Sequence, residues 1–162
     1  MKNYCIFLFC CFALQFTAAA QSKQKATKAF LQQLNDIIKK SPGQHWAYEQ
    51  DTMTVDSAFA INAQGILSVT IRYTNDTGVT IIRTAAPVNK IERIAYDLYL
   101  ILEFKDDLVT FYKTETPGGP LKETGKAHLF HIGAPLPEDV KYQVKLQQAL
   151  DKLLIHYPDS SL

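Results

Sequence analysis

Four histidines are the first side chains to weigh for chemistry: His45, His128, His131 and His156. His128 and His131 are the nearest pair, but on a strand an offset of three sends side chains to opposite faces, the wrong geometry for a shared metal ion. No Asp or Glu flanks His45 or His156 at a ligand spacing such as HExxH. The reading is surface or partly packed histidines with no metal site. Ser41, Ser57 and Ser68 lie in the body of the chain, and none occupies the GxSxG turn that presents a nucleophile. The adjacent acids Asp106 and Asp107, and Glu138 and Asp139, sit where a turn and a helix start already favour carboxylates. Asp97 stands within an apolar, aromatic run, and a turn there explains it as well as a catalytic role would. Gly118 and Gly119, between Pro117 and Pro120, lack the following Lys-Ser/Thr and helix start of a phosphate loop. No cofactor is implied.

Aromatic rings are the one surplus, among them Trp46, Tyr48, Tyr73, Tyr96, Tyr99, Phe111, Tyr112, Phe130, Tyr142 and Tyr157. Rings fill small β-rich cores by default, and they also serve binding surfaces because they offer rigid area with a polar tip. The candidate ligand-binding residues are Trp46, Tyr48, Tyr99 and Tyr112. Trp46 and Tyr48 stand out because they follow a Pro-Gly break and precede the first strand.

The compartment is read from the N-terminus. Lys2, an apolar run from Tyr4 to Phe16, and Ala18, Ala19 and Ala20 follow the charged, apolar and small-residue order of a secretory signal peptide cleaved after Ala20. The run is shorter than the roughly 20 residues a membrane-spanning helix needs. Residues 1–20 are therefore expected to be a leader and residues 21–162 a single secreted or periplasmic domain with no stable membrane insertion. Cys5, Cys10 and Cys11 all fall in the leader, so no thiol chemistry is expected of the remainder. The whole chain carries a formal net charge of +1, with charges interspersed. That balance gives no electrostatic reason to expect nucleic acid as a partner.

The elements that must position these residues follow from periodicity. Phe30, Leu34, Ile37 and Ile38 recur at helical spacing over Ala26–Lys40, where Ser41, Pro42 and Gly43 are expected to stop the helix. Alternation predicts a first strand over Met53–Ile61, interrupted by Ser57, then strands over Leu67–Tyr73 and Val79–Thr84, separated by the turns Asn62–Gly65 and Asn75–Gly78. Pro87–Ile94 reads as a loop or short helical turn. Tyr96–Phe104 is apolar on both parities and Leu108–Lys113 is a further aromatic strand. Thr114–Lys126 reads as a mobile surface loop, Ala127–Ile132 as a short strand, and Pro137 or Glu138 to His156 as a final helix.

Helix, then five to seven strands, then helix implies an α+β domain with an antiparallel sheet. It is expected to be a curled sheet or small barrel flanked by an N-terminal and a C-terminal helix. Val79–Lys113 followed by the helix at Glu138–His156 resembles the latter half of pleckstrin-homology-like domains, which implies strands curled into a small barrel plugged by the last helix. A first helix in the concave face of a curved sheet is similar instead to cystatin-like and NTF2-like folds. The expected function is non-enzymatic binding of a protein, peptide or small apolar ligand. The alternatives are an NTF2-like or cystatin-like enzyme or inhibitor, with Asp97 and His131 as acid and base, and a structural accessory of a cell-envelope complex.

Overall fold

The structure, a computed structural model, describes residues 2–49 and 51–158, and the side chains of residues 20–47, 49 and 51–158. The leader read over residues 1–20, with its three cysteines, falls outside the described side chains except for Ala20. Helix α1 (Lys2–Ile38) buries Phe30, Leu34, Ile37 and Ile38, the stripe that the 3.6-residue period marks out. The C-terminal helix α3 (Val140–Leu154) starts where the Asp139 carboxylate accepts a hydrogen bond from Tyr142 N at 3.1 Å, and it buries Leu146, Ala149, Leu150 and Leu153. Among the described residues no helix is long and apolar enough to cross a membrane.

Among the described residues eight strands form two antiparallel sheets that do not close into a barrel, so the curled open sheet is found and the plugged barrel is not. The larger sheet contains β1 (Thr52–Ile61), β2 (Ile66–Asn75), β3 (Gly78–Pro87), β6 (Val109–Thr114) and β7 (Lys122–Ala127), in that order. The smaller contains β4 (Ile91–Asp97), β5 (Tyr99–Phe104) and β8 (Leu129–His131). One buried cluster joins α1, α3 and both sheets through residues such as Phe30, Phe59, Leu67, Leu102, Phe130 and Leu150.

Three expectations are corrected. Ser41-Pro42-Gly43 ends α1 but also opens a second helix, α2 (Ser41–Glu49): a serine at the boundary and a proline in the first turn are helix-start residues as much as stop residues. The Tyr96–Phe104 run is not one strand. It reverses at Leu98, whose φ is +58°, with Asp97 paired to Tyr99 across the turn; the second arm, β5, buries Leu100, Ile101 and Leu102 in succession, so both of its faces are covered, as apolar residues on both parities imply. The stretch read as a mobile loop holds β7, which pairs antiparallel with β6. Its residues are almost all exposed, so it carries no apolar alternation by which to read it.

Outer strands of open sheets leave backbone groups that need partners wherever they are covered. On β1, two register shifts between Val55 and Ala60 mark the place where Ser57 interrupts the apolar series. There the Asn35 side chain of α1 acts as an extra rung: its Nδ2 donates to Phe59 O at 3.1 Å and its Oδ1 accepts from Phe59 N at 2.8 Å. On β4, α3 does the same with two glutamines. Ile94 N donates to Gln147 Oε1 at 2.7 Å and Gln143 Nε2 donates to Ile94 O at 3.1 Å. Asn35→Ala leaves both Phe59 groups without partners and is expected to cost about 2–3 kcal/mol in unfolding free energy. Chemical denaturation of the variant checks this, with Gln32→Ala on the exposed side of α1 expected to be near neutral.

Candidate functional site

Side chains of β2, β3 and β6 alternate, so one face of the large sheet carries Val69, Ile71, Tyr73, Ile82, Thr84 and Phe111 in register: Ile71 pairs with Ile82, Val69 with Thr84, and Thr84 with Phe111. These residues line a cleft of about 580 Å³. The α2–β1 segment contributes His45, Glu49 and Asp51 to it, and β5 and β8 with their flanks contribute Tyr99, His128, Leu129, His131 and Ala134. A cleft of this size with a largely apolar floor and a few polar groups has the general make-up of a small-molecule site.

The junction of α1 and α2 fixes both contributing segments. Ser41 is fully buried; its hydroxyl donates to Ile37 O at 3.3 Å and accepts from Ala134 N at 3.1 Å. Gly133 approaches Ser41 so closely, with φ at +77°, that a methyl group at this position would overlap the hydroxyl. His45 lies one helical turn after Ser41, and His131 lies two residues before Gly133.

Two pairings define the polar part. His45 Nε2 is hydrogen-bonded to Asp51 Oδ1, and the His45 ring packs on Tyr73 with centroids 4.9 Å apart. His131 stacks on Tyr99 at 4.7 Å with an interplanar angle of 14°. Burial holds the His131 imidazole below its ordinary value, against a smaller opposite pull from Asp97. Burial first, then the charge of Asp51, then Tyr99, push the Tyr73 phenol up to about 12. At neutral pH the cleft therefore presents a neutral phenol beside a His–Asp pair and an aromatic stack.

Of the residues singled out from sequence, Tyr99 lines the cleft. Trp46 is 56 % exposed on α2 and is not among the lining residues. The Tyr48 side chain is outside the described residues. Tyr112 pairs with Arg83 and lies on the opposite face of the sheet from Phe111. His131 is in the cleft, but no hydrogen bond joins it to Asp97, an exposed residue at the β4–β5 turn. The expectation that His128 and His131 point apart is corrected: both reach the cleft, because His128 sits in the bend between β7 and β8 and does not share His131's strand. Among the described residues no group of three or more His, Cys, Asp and Glu is placed to hold a metal ion. Sequence reasoning missed Asp51, Tyr73 and Ile82 as cleft residues. The alternation of β2 and β3 placed Tyr73 and Ile82 on strands, but not on the uncovered half of a face.

No protein-family model matches the chain, and neither the curated proteins nor the solved structures contain a significantly similar one.

Gly133→Ala places a methyl group against Ser41 and forces a left-handed alanine, so the variant is expected to lose about 2 kcal/mol or more, measured by thermal and denaturant unfolding. The raised phenol gives a pH signature. Tyr73 stays protonated in the folded state after it has ionised in the unfolded state, so its contribution is intact below about pH 10 and is lost as pH rises towards about 12. The decline is expected to be about 2–3 kcal/mol and to be absent in Tyr73→Phe, whose ultraviolet tyrosinate titration also lacks the late step.

Proposed function

We propose that the protein is a secreted or periplasmic binding protein without enzymatic activity, and that the cleft between the α2–β1 segment and the β5–β8 pair holds a small organic ligand with a flat apolar body and one hydrogen-bonding head. The leader pattern of residues 1–20 supports export. The observation that carries the binding reading is the cleft of about 580 Å³ with Val69, Ile71, Ile82 and Phe111 on one sheet face and the Tyr99–His131 stack beside them. Rigid rings and branched apolar side chains accept a flat apolar body at little entropic cost, while Tyr73 and Thr84 supply polar contacts that orient it.

The His45–Asp51 pair favours a second reading, an acid–base enzyme in which Asp51 orients His45 and the imidazole moves a proton on a substrate in the same cleft. In the binding reading the pair is structural, fastening the start of β1 to α2.

Native mass spectrometry of the protein purified under mild conditions from its own host separates the two. A binding protein is expected to carry a reproducible, unaltered added mass. Ile82→Trp, which fills the cleft floor, is expected to reduce its occupancy at least tenfold, while Asp51→Asn retains it. An enzyme is expected instead to convert the recovered compound, with Asp51→Asn slowing conversion about 10²–10⁴-fold. Retention of the added mass in full by a folded Ile82→Trp variant overturns the assignment of the cleft.

A further inference from the structure

The balanced composition conceals a local segregation of charge. Where α1 and α3 pack, a second groove of about 580 Å³ opens between them, with Ala26, Ala29 and Ala149 among its lining residues. Lys25 from α1 faces it from one side and Lys145 and Lys152 from α3 from the other, with Ser22 and His156 together at one end, 3.3 Å apart. Among the described residues no carboxylate lines this groove, and none of the three lysines is ion-paired to one. Elsewhere the protein interleaves its charges, as in Arg72 with Asp56 at 2.8 Å and Arg93 with Glu103 at 2.7 Å. Like charges facing one another across a helix pair oppose its packing, and an anion between them reverses the sign of that term.

Gln33 adds an independent feature. It lines the same groove, and its Oε1 is buried with no hydrogen-bond partner among the described residues. A buried acceptor left unpaired is unfavourable, and the last torsion of a glutamine is soft enough to turn that oxygen towards a donor in the groove.

We propose that this groove is a binding site for a phosphate ester that also carries a hydroxyl, a compound of the glycerol-phosphate type, whether free or as a phospholipid headgroup. The lysine ammonium groups donate to the phosphate oxygens, and the ligand hydroxyl donates to Gln33 Oε1. The alanines keep the groove wide enough to admit it. This site is separate from the cleft, and nothing in it depends on the binding reading given above.

Calorimetric titration of the full protein with sn-glycerol 3-phosphate, in parallel with inorganic phosphate and with vesicles of phosphatidylglycerol in phosphatidylcholine, tests the site. The expected result is saturable binding of glycerol 3-phosphate that weakens as salt is raised. It is expected to fall about tenfold in Lys145→Gln and in Lys152→Gln, and to be unchanged in Lys126→Gln on β7 and in Ile82→Trp in the cleft. Gln33→Leu is expected to remove the preference over inorganic phosphate. Binding to the phosphatidylglycerol vesicles alone, with the same dependence on Lys145 and Lys152, supports the site and identifies the headgroup as the source. All the substituted lysines are exposed, so circular dichroism is expected to show folded variants. Absence of binding to both glycerol 3-phosphate and the phosphatidylglycerol vesicles overturns the proposal, as does binding that Lys126→Gln weakens as much as Lys145→Gln does.

Discussion

The buried hydroxyl of Ser41 ties together parts of the chain that meet nowhere else in sequence. It receives the amide of Ala134 and donates to the carbonyl of Ile37, so the end of α1, the start of α2 and the exit from β8 are held at one point. A fully buried hydroxyl is tolerated only because both its donor and acceptor functions are met. The adjoining Gly133 leaves the space the hydroxyl needs and takes the left-handed backbone that lets the chain turn away. The course of α2 from Ser41 places His45 and Asp51, and the pairing of β5 with β8 ahead of Ala134 places Tyr99 and His131. The cleft is therefore the space between two segments fastened at a common point.

The same economy of polar groups explains how two open sheets coexist with helices α1 and α3. The amide side chains of Asn35, Gln143 and Gln147 satisfy backbone groups on the outer strands β1 and β4, much as a further strand would. Helices docked in this way cover one part of the sheet face, around Phe59 and Leu67, and leave the part around Tyr73, Ile82 and Phe111 lining an open cleft. The outer strand β7 is protected instead by Lys122, Glu123 and Lys126, which discourage pairing with another chain. Charge is distributed unevenly as a result: carboxylates and imidazoles gather at the cleft, and ammonium groups at the α1–α3 groove.

Much of the fold was legible because it rests on relations between near neighbours. The stripe of Phe30, Leu34, Ile37 and Ile38 requires a helix, the alternation through Leu67, Val69, Ile71 and Tyr73 requires a half-buried strand, and the break at Ser57 marks the irregular stretch of β1. β7 was hidden because its side chains are exposed on both faces, and α2 because Ser41-Pro42-Gly43 can both end a helix and begin one. Among the residues chosen for binding, Tyr99 lies in the cleft. Trp46 and Tyr112 share its property, an aromatic ring, which does not encode the face on which the ring emerges.

By itself the sequence determined an α+β chain of antiparallel strands between two amphipathic helices, because hydrophobic period depends only on local geometry. Tertiary structure alone decided that the strands divide into two sheets, that β6 pairs with β3, and that His45 meets Asp51 while His131 meets Tyr99. Those contacts depend on which faces are buried together and which outer strands find polar partners. Such choices are made over the whole chain, among residues whose spacing in sequence carries no trace of them.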